Sequence, residues 1–290
     1  MIDVDAIVRT RVDEPEKIVR LAQERARPVG LTGRTGRLLI VAADHPARGA
    51  LKAGARSLAM ADRADLLDRL VRALSRPGVD GVLATADIVE DLLLLGALDH
   101  KVVIGSMNRG GLAGTVFEID DRFTAYRPGA IAARGLQGGK MLLRIDPSDP
   151  ATSQTLENCA RMVEELSDLG LMAMVEPFIS HRTPEGRLVN ELTTEAVIRS
   201  ATVAAGLAST SAHTWLKLPV VEDMNAVLAA TTLPVMLLGG EVAANQSEQF
   251  AAWSAALKNP TVRGMAIGRS LLYPPDGEVE RAVDSIVEMM

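Results

Sequence analysis

The stretch RLLIVAAD, residues 37–44, holds six consecutive apolar residues between an arginine and an aspartate. It is short for a helix and apolar at every alternation, as a strand is when a parallel sheet buries both of its faces. The residues that follow, HPARGALKAG, contain no G-x-G-x-x-G, so the phosphate turn that opens a dinucleotide-binding sheet is missing. An open doubly wound sheet is therefore the weaker reading.

Seven further runs of the same kind follow: DGVLATAD (80–87), KVVIGSMN (101–108), GKMLLRID (139–146), LMAMVEPF (171–178), HTWLKLPV (213–220), PVMLLGGE (234–241) and RGMAIGRS (263–270). Segments of helical period separate them, several starting at Ser, Thr or Asp and ending at Gly or Pro, the residues that cap helices. Eight strands alternating with helices over about 250 residues are the pattern of a (β/α)8 TIM barrel. Residues 37–290 are expected to form it. Residues 1–36 are expected to add a helix, DEPEKIVRLAQERAR, and a loop closing one barrel end. No linker, repeat or low-complexity tract divides the chain, so 1–290 reads as a single domain.

Composition narrows the function. A net charge of −6 offers no basic face for a phosphate backbone, and 3% aromatic residues leave few platforms for stacking bases, so no nucleic-acid partner is expected. The charged N-terminus lacks an apolar signal region, and no run approaches the roughly 20 apolar residues of a membrane span; a soluble cytoplasmic protein is expected. The single cysteine, Cys159, excludes an internal disulfide and lies in an amphipathic helical pattern, where a structural thiol is expected. His45, His100, His181 and His213 show no H-x-H or H-E-x-x-H spacing, and no metal or organic cofactor is implied. The Leu-rich segment IVEDLLLLGAL suits either the core or contact between copies in a homo-oligomer.

Barrel chemistry gathers at the C-terminal strand ends. The first run ends in Asp44 and His45, the fourth carries Lys140 and Arg144, the fifth reaches Glu176, and the sixth carries Lys217. Trp215 and Lys217 share one face of their strand, as do Met174 and Glu176, and Lys140, Leu142 and Arg144. Period alone does not say which face is inward, but a lysine gains nothing from facing the helix layer. A lysine flanked by apolar groups and a second cation loses its proton more readily, and a neutral amine attacks a carbonyl to form a Schiff base. The protonated imine accepts the electrons of a neighbouring carbon–carbon bond, and a carboxylate moves the protons. Lys217 fits the nucleophile, Lys140 the second cation, and Glu176 or Asp44 the acid/base group. The plain alternative is a buried structural pair between Lys217 and Glu176, an arrangement whose desolvation often costs more than it returns. Gly239 and Gly240 after the seventh run, and Gly268 with Arg269 after the eighth, suit short loops that offer backbone N–H groups to a phosphate. Arg48 and Arg144 could read a second anionic group, or be structural.

Taken in order, these motifs resemble the class I, Schiff-base aldolases of the DeoC/LacD family, and within it the tagatose-bisphosphate aldolase branch. AADHPARGAL is similar to the branch's first-strand motif, GGKMLLRIDPSD to its fourth strand, MVEPF to its fifth, WLKLPV to its lysine strand, and LLGGE and AIGRSLL to its phosphate loops. The resemblance implies Lys217 as the imine lysine and Glu176 as the proton shuttle. It implies Lys140 and Asp44 as groups that hold substrate hydroxyls, with Gly240, Gly268 and Arg269 near a phosphate. It further implies cleavage or formation of a carbon–carbon bond in a phosphorylated ketose or keto-sugar acid, with dihydroxyacetone phosphate as the imine-bound fragment. The chain departs from the branch at His45, where glutamine is usual, and at Leu218 and Pro219. A non-catalytic phosphosugar-binding protein on the same scaffold is the second reading, since a fold by itself does not fix an activity.

Overall fold

The computed structural model describes residues 2–33, 35–240 and 246–290. Among them, nine strands run in chain order as β1 Leu38–Ala42, β2 Gly81–Ala84, β3 Val102–Ser106, β4 Gly138–Ile145, β5 Met172–Arg182, β6 Leu188–Asn190, β7 Thr214–Leu218, β8 Val235–Leu238 and β9 Val262–Ile267. Eight of them pair in parallel around a closed ring: β1 with β2 and β9, β2 with β3, β3 with β4, β4 with β5, β5 with β7, β7 with β8, and β8 with β9. The eight expected runs thus supply the eight strands of a (β/α)8 barrel. Glu241, the last residue of the seventh run, lies outside the described residues.

Alternation along each strand splits the core in two. Leu38, Ile40 and Ala42 point into the lumen with Leu83, Val102, Ile104, Met172, Met174, Met236 and Ala266. Their neighbours Leu39, Val41, Val82, Val103, Val175 and Leu237 meet the surrounding helices. Those helices begin where the sequence places caps: Asp62, Thr193 and Asp223 accept from backbone N–H groups three residues on, opening Arg63–Ser75, Thr194–Ala205 and Met224–Ala229. Cys159 is buried in the helix Ala151–Asp168, where burial pushes its thiol pKa up, as suits a structural thiol.

The expected N-terminal helix is α2 Glu16–Glu24, and a further helix, α1 Val4–Asp13, precedes it. Pro15 separates them, having no N–H to continue the α1 ladder. Arg11 docks α1 on the helix Ala86–Leu94 through Glu90 at 3.0 Å and Asp91 at 2.8 Å. Arg25 donates to the Leu98, Lys101 and Gly135 carbonyls and to Gln137 Oε1, at 2.9–3.1 Å, beside the entrances to β3 and β4. Leu31 packs against the lumen cluster, so this extension closes the N-terminal end of the barrel, as expected.

One correction concerns the fifth run, which does not stop at Phe178. β5 continues to Arg182 and turns back through β6, pairing antiparallel as Ser180 with Asn190, His181 with Val189, and Arg182 with Leu188. This hairpin stands above the C-terminal rim and takes no part in the ring. No helix among the described residues is long and apolar enough to cross a membrane.

Candidate active site

The lumen-facing alternation continues upward into charge. Two residues past Ala42 comes Asp44; above Ile104 comes Ser106; above Met174 comes Glu176; and above Trp215 comes Lys217. Register sets their heights: Ser106 lies opposite Lys140, Lys140 opposite Met174, and Leu142 opposite Glu176. Side chains far apart in sequence therefore form one polar layer on top of an apolar one.

Glu176 is the hinge of that layer. Lys217 Nζ donates to its Oε1 at 2.6 Å, and Lys140 Nζ pairs with its Oε2. Lys140 also lies 3.4 Å from Asp44 Oδ2, which accepts from Ser106 Oγ at 2.9 Å and stands 3.1 Å from Arg109 Nη2. Arg109 Nη1 donates to the Asp44 carbonyl at 3.1 Å. All four acid and base groups of the sequence reading are buried.

Burial by itself would raise both carboxyl pKa values. Lys140 and Lys217 overcome it at Glu176 and pull its pKa down to about 2, while Lys140 and Arg109 hold Asp44 well below the usual carboxylate range. Burial lowers the pKa of Lys140, with Arg109 and Lys217 adding to the effect against Asp44 and Glu176. His45 Nδ1 is 3.8 Å from Asp44 Oδ1, beyond hydrogen-bond reach, and has no partner among the described residues. Its enclosure and the cations Arg269, Lys217 and Lys140 push its pKa down to about 3, so the ring is neutral at physiological pH.

The layer forms the floor of a cavity of about 540 Å³ at the C-terminal barrel mouth. Asp44, His45, Lys140, Glu176, Lys217, Gly239, Gly240, Gly268 and Arg269 all line it. Gly239 and Gly268 are held in close quarters: a side chain on Gly239 would run into Ile267, and one on Gly268 into the Ala42 carbonyl and the His45 ring. Arg144 is placed differently. It lies on the Lys140–Leu142 face of β4, but its guanidinium pairs with Glu118 of the loop 107–127, between β3 and the helix Pro128–Ala133, and it is not part of the cavity lining. A lysine–carboxylate pair sealed in the core is costly to desolvate. The Lys217–Glu176 pair instead opens onto a cavity large enough for a small molecule, walled by charged groups and by apolar side chains such as Phe178, Leu238 and Trp253.

A sequence model of the Cgl0159-like family matches residues 36–287. The chain belongs to the Cgl0159-like family. The crystal structure of Cgl0159 from Corynebacterium glutamicum is 50% identical, with a TM-score of 0.96 over 99% of this chain and 96% of that one. An archaeal fructose 1,6-bisphosphate aldolase is 19% identical, with a TM-score of 0.66 over 94% of this chain and 98% of that one. A Schiff-base-forming fructose-1,6-bisphosphate aldolase is 20% identical, with a TM-score of 0.65 over 94% of this chain and 99% of that one. At such identities the two aldolases share the barrel fold with this Cgl0159-like chain. No curated protein matches the sequence.

Sequence reasoning missed several residues of this site in the Cgl0159-like chain. Ser106 lies near the end of the third run and Arg109 directly follows it, where the strand-end rule that found Asp44 and Glu176 applies equally. Arg48, a candidate anion reader by sequence, lines the cavity with its guanidinium held by the Asn108 carbonyl at 2.8 Å and by Asp121. Asn190, Leu192 and Gln249 also line the cavity, and no local signal marks them. Among the described residues, no group of three or more His, Cys, Asp or Glu is arranged to hold a metal ion.

Proposed function

We propose that the protein is a class I aldolase, a lyase that cleaves or forms a carbon–carbon bond of a phosphorylated ketose or keto-sugar acid through an imine on Lys217. The observation that carries this reading is the 2.6 Å contact of Lys217 Nζ with Glu176 Oε1 in the floor of the cavity, with Lys140 on the other carboxylate oxygen. That contact gives the Lys217 proton a direct acceptor as a carbonyl approaches. The neutral amine adds to the carbonyl carbon, the carbinolamine loses water, and a protonated imine remains. Electrons of the adjacent carbon–carbon bond then flow to the imine nitrogen, while a base takes the hydroxyl proton of the departing carbon and an aldehyde leaves. The enamine is protonated on carbon, and water hydrolyses the imine to release the ketone and restore Lys217.

Glu176 is the better shuttle, because it touches Lys217 while Asp44 is held by Ser106, Lys140 and Arg109. Lys140, Lys217 and Arg109 carry three positive charges against the two negative charges of Glu176 and Asp44, a surplus that suits an anionic substrate. Gly239, Gly240, Gly268 and Arg269 would hold a phosphate, and dihydroxyacetone phosphate would be the imine-bound fragment. The ring nitrogen of His45 would find its partner in a substrate oxygen. The structural neighbours include an archaeal fructose-1,6-bisphosphate aldolase whose catalytic lysine carries a carbinolamine, which supports the same chemistry. The motif resemblance supports a ketose bisphosphate of the tagatose type as one substrate. A single domain (1–290), cytoplasmic and acting on a small phosphorylated sugar, goes with this reading.

Incubation with dihydroxyacetone phosphate and borohydride, followed by peptide mass spectrometry, tests it. An adduct on Lys217, absent from Lys217→Met, is expected. An adduct on Lys140 would exchange the two lysines' roles. No adduct with any ketose phosphate, from folded protein, would overturn the imine mechanism and leave a phosphosugar-binding protein.

A further inference from the structure

The hairpin above the rim extends the chemical wall of the cavity. Along β5, the inward face runs Met172, Met174, Glu176, Phe178 and Ser180 by period two. Ser180 is buried and faces Asn190 across the hairpin; Asn190 therefore lies on the same inward side, and Leu192 follows two residues later. Val189, between Leu188 and Asn190, is exposed, as the alternation requires. Phe178, Asn190 and Leu192 all line the cavity. Ser180 Oγ donates to Asn190 Oδ1 at 2.9 Å, which fixes the amide and leaves the two N–H groups of Nδ2 for a ligand.

Ring order fixes what this wall can touch. Lys217 on β7 stands between β5 on one side and β8 and β9 on the other. For a ketose anchored at Lys217 with its phosphate at Gly239 and Gly268, the wall on the opposite, β5 side of the lysine is Glu176, Phe178 and Asn190. We propose that Asn190, delivered by the β5–β6 hairpin, is a specificity residue that donates a hydrogen bond to an acceptor oxygen on the aldehyde fragment. This rests on the aldolase reading above and adds to it the group that chooses the second substrate.

The test measures condensation of dihydroxyacetone phosphate with glyceraldehyde 3-phosphate, rich in acceptor oxygens, and with propionaldehyde, which has none beyond its carbonyl. Wild-type protein is expected to favour the first. Asn190→Ala and Asn190→Ser should lower the kcat/KM ratio of the two aldehydes about tenfold, the size of one lost hydrogen bond. Asn190→Asp should lower it further, by facing the substrate oxygen with an acceptor. Borohydride trapping of dihydroxyacetone phosphate on Lys217 should match wild type in all three. An unchanged ratio with normal trapping, in whichever variants fold, overturns this inference alone. Failure of wild-type protein to trap dihydroxyacetone phosphate or any other ketose phosphate removes the aldolase reading, and this inference with it.

Discussion

The lower and upper halves of the barrel lumen are built by the same strands and have opposite chemistry. Below lie Leu38, Ile40, Ile104, Met172, Met174 and Met236; one step above lie Asp44, Ser106, Glu176 and Lys217. Nothing in the backbone changes between them, since β5 passes from Met174 to Glu176 within one paired register. What changes is access. The lower half is sealed by Leu31 and the Arg25 contacts, so a charge there would have neither water nor a partner. The upper half opens onto the cavity, and each charge in it is answered by another. An ion tolerates burial only where its partners are already in place.

The sharpest way to break the contrast is to move a charge down one step. Met174→Lys places an ammonium in the sealed layer and should cost about 5 kcal/mol, the upper end for an uncompensated buried charge. Urea unfolding would measure it, and a loss below about 1 kcal/mol would mean the lower lumen admits water. Next comes the proposed nucleophile. Lys217→Met should lower turnover by at least about 10³-fold, since removing a covalent catalyst leaves only the remaining groups of the site. It should also abolish the borohydride adduct while the fold persists by circular dichroism.

Glu176→Gln removes the anion between two lysines and should destabilise the protein by about 3 kcal/mol at pH 7. The mutant should still form the imine but turn over slowly. The effect has a direction in pH. Glu176 falls from an ordinary 4.5 to about 2 in the fold. Its stabilisation is fully present above 4.5 and is lost as pH falls toward 2, so the gap between wild type and Glu176→Gln should narrow across that window. A gap that widened with acid would contradict the assignment. The mildest change is Leu31→Ala. Leu31 is only partly buried, so the loss should be about 1 kcal/mol, below the range for a fully buried leucine, with the imine adduct unaffected.

The ring of strands was legible because a strand buried on two sides leaves an unbroken apolar run, and eight such runs in alternation with helices fit few architectures besides a barrel. Lys217 and Glu176 stood out for a related reason: an ion inside such a run needs a cause. Ser106 near the end of the third run and Arg109 just past it carried the same signal, but serine and arginine at a strand end also suit an ordinary loop. The helix α1 was hidden because its apolar residues do not gather on one face: Ile7 is buried while Val8 and Val12 are exposed. The β5–β6 hairpin was hidden because β6 is three residues long, and its partner stretch, ISHR, follows a proline that reads as a strand end. Arg144 sits on the same strand face as Lys140, yet its partner, Glu118, comes from a loop 26 positions away in sequence, a distance that strand alternation does not see.

The β6 segment pairs only with β5 and carries no register of the ring. Residues between Arg182 and Leu188 can therefore lengthen, shorten or change without moving Lys217 relative to Glu176. Under the proposed roles of Lys217 and Asn190, a reaction floor fixed by the ring would be separated from a hairpin that can vary by itself.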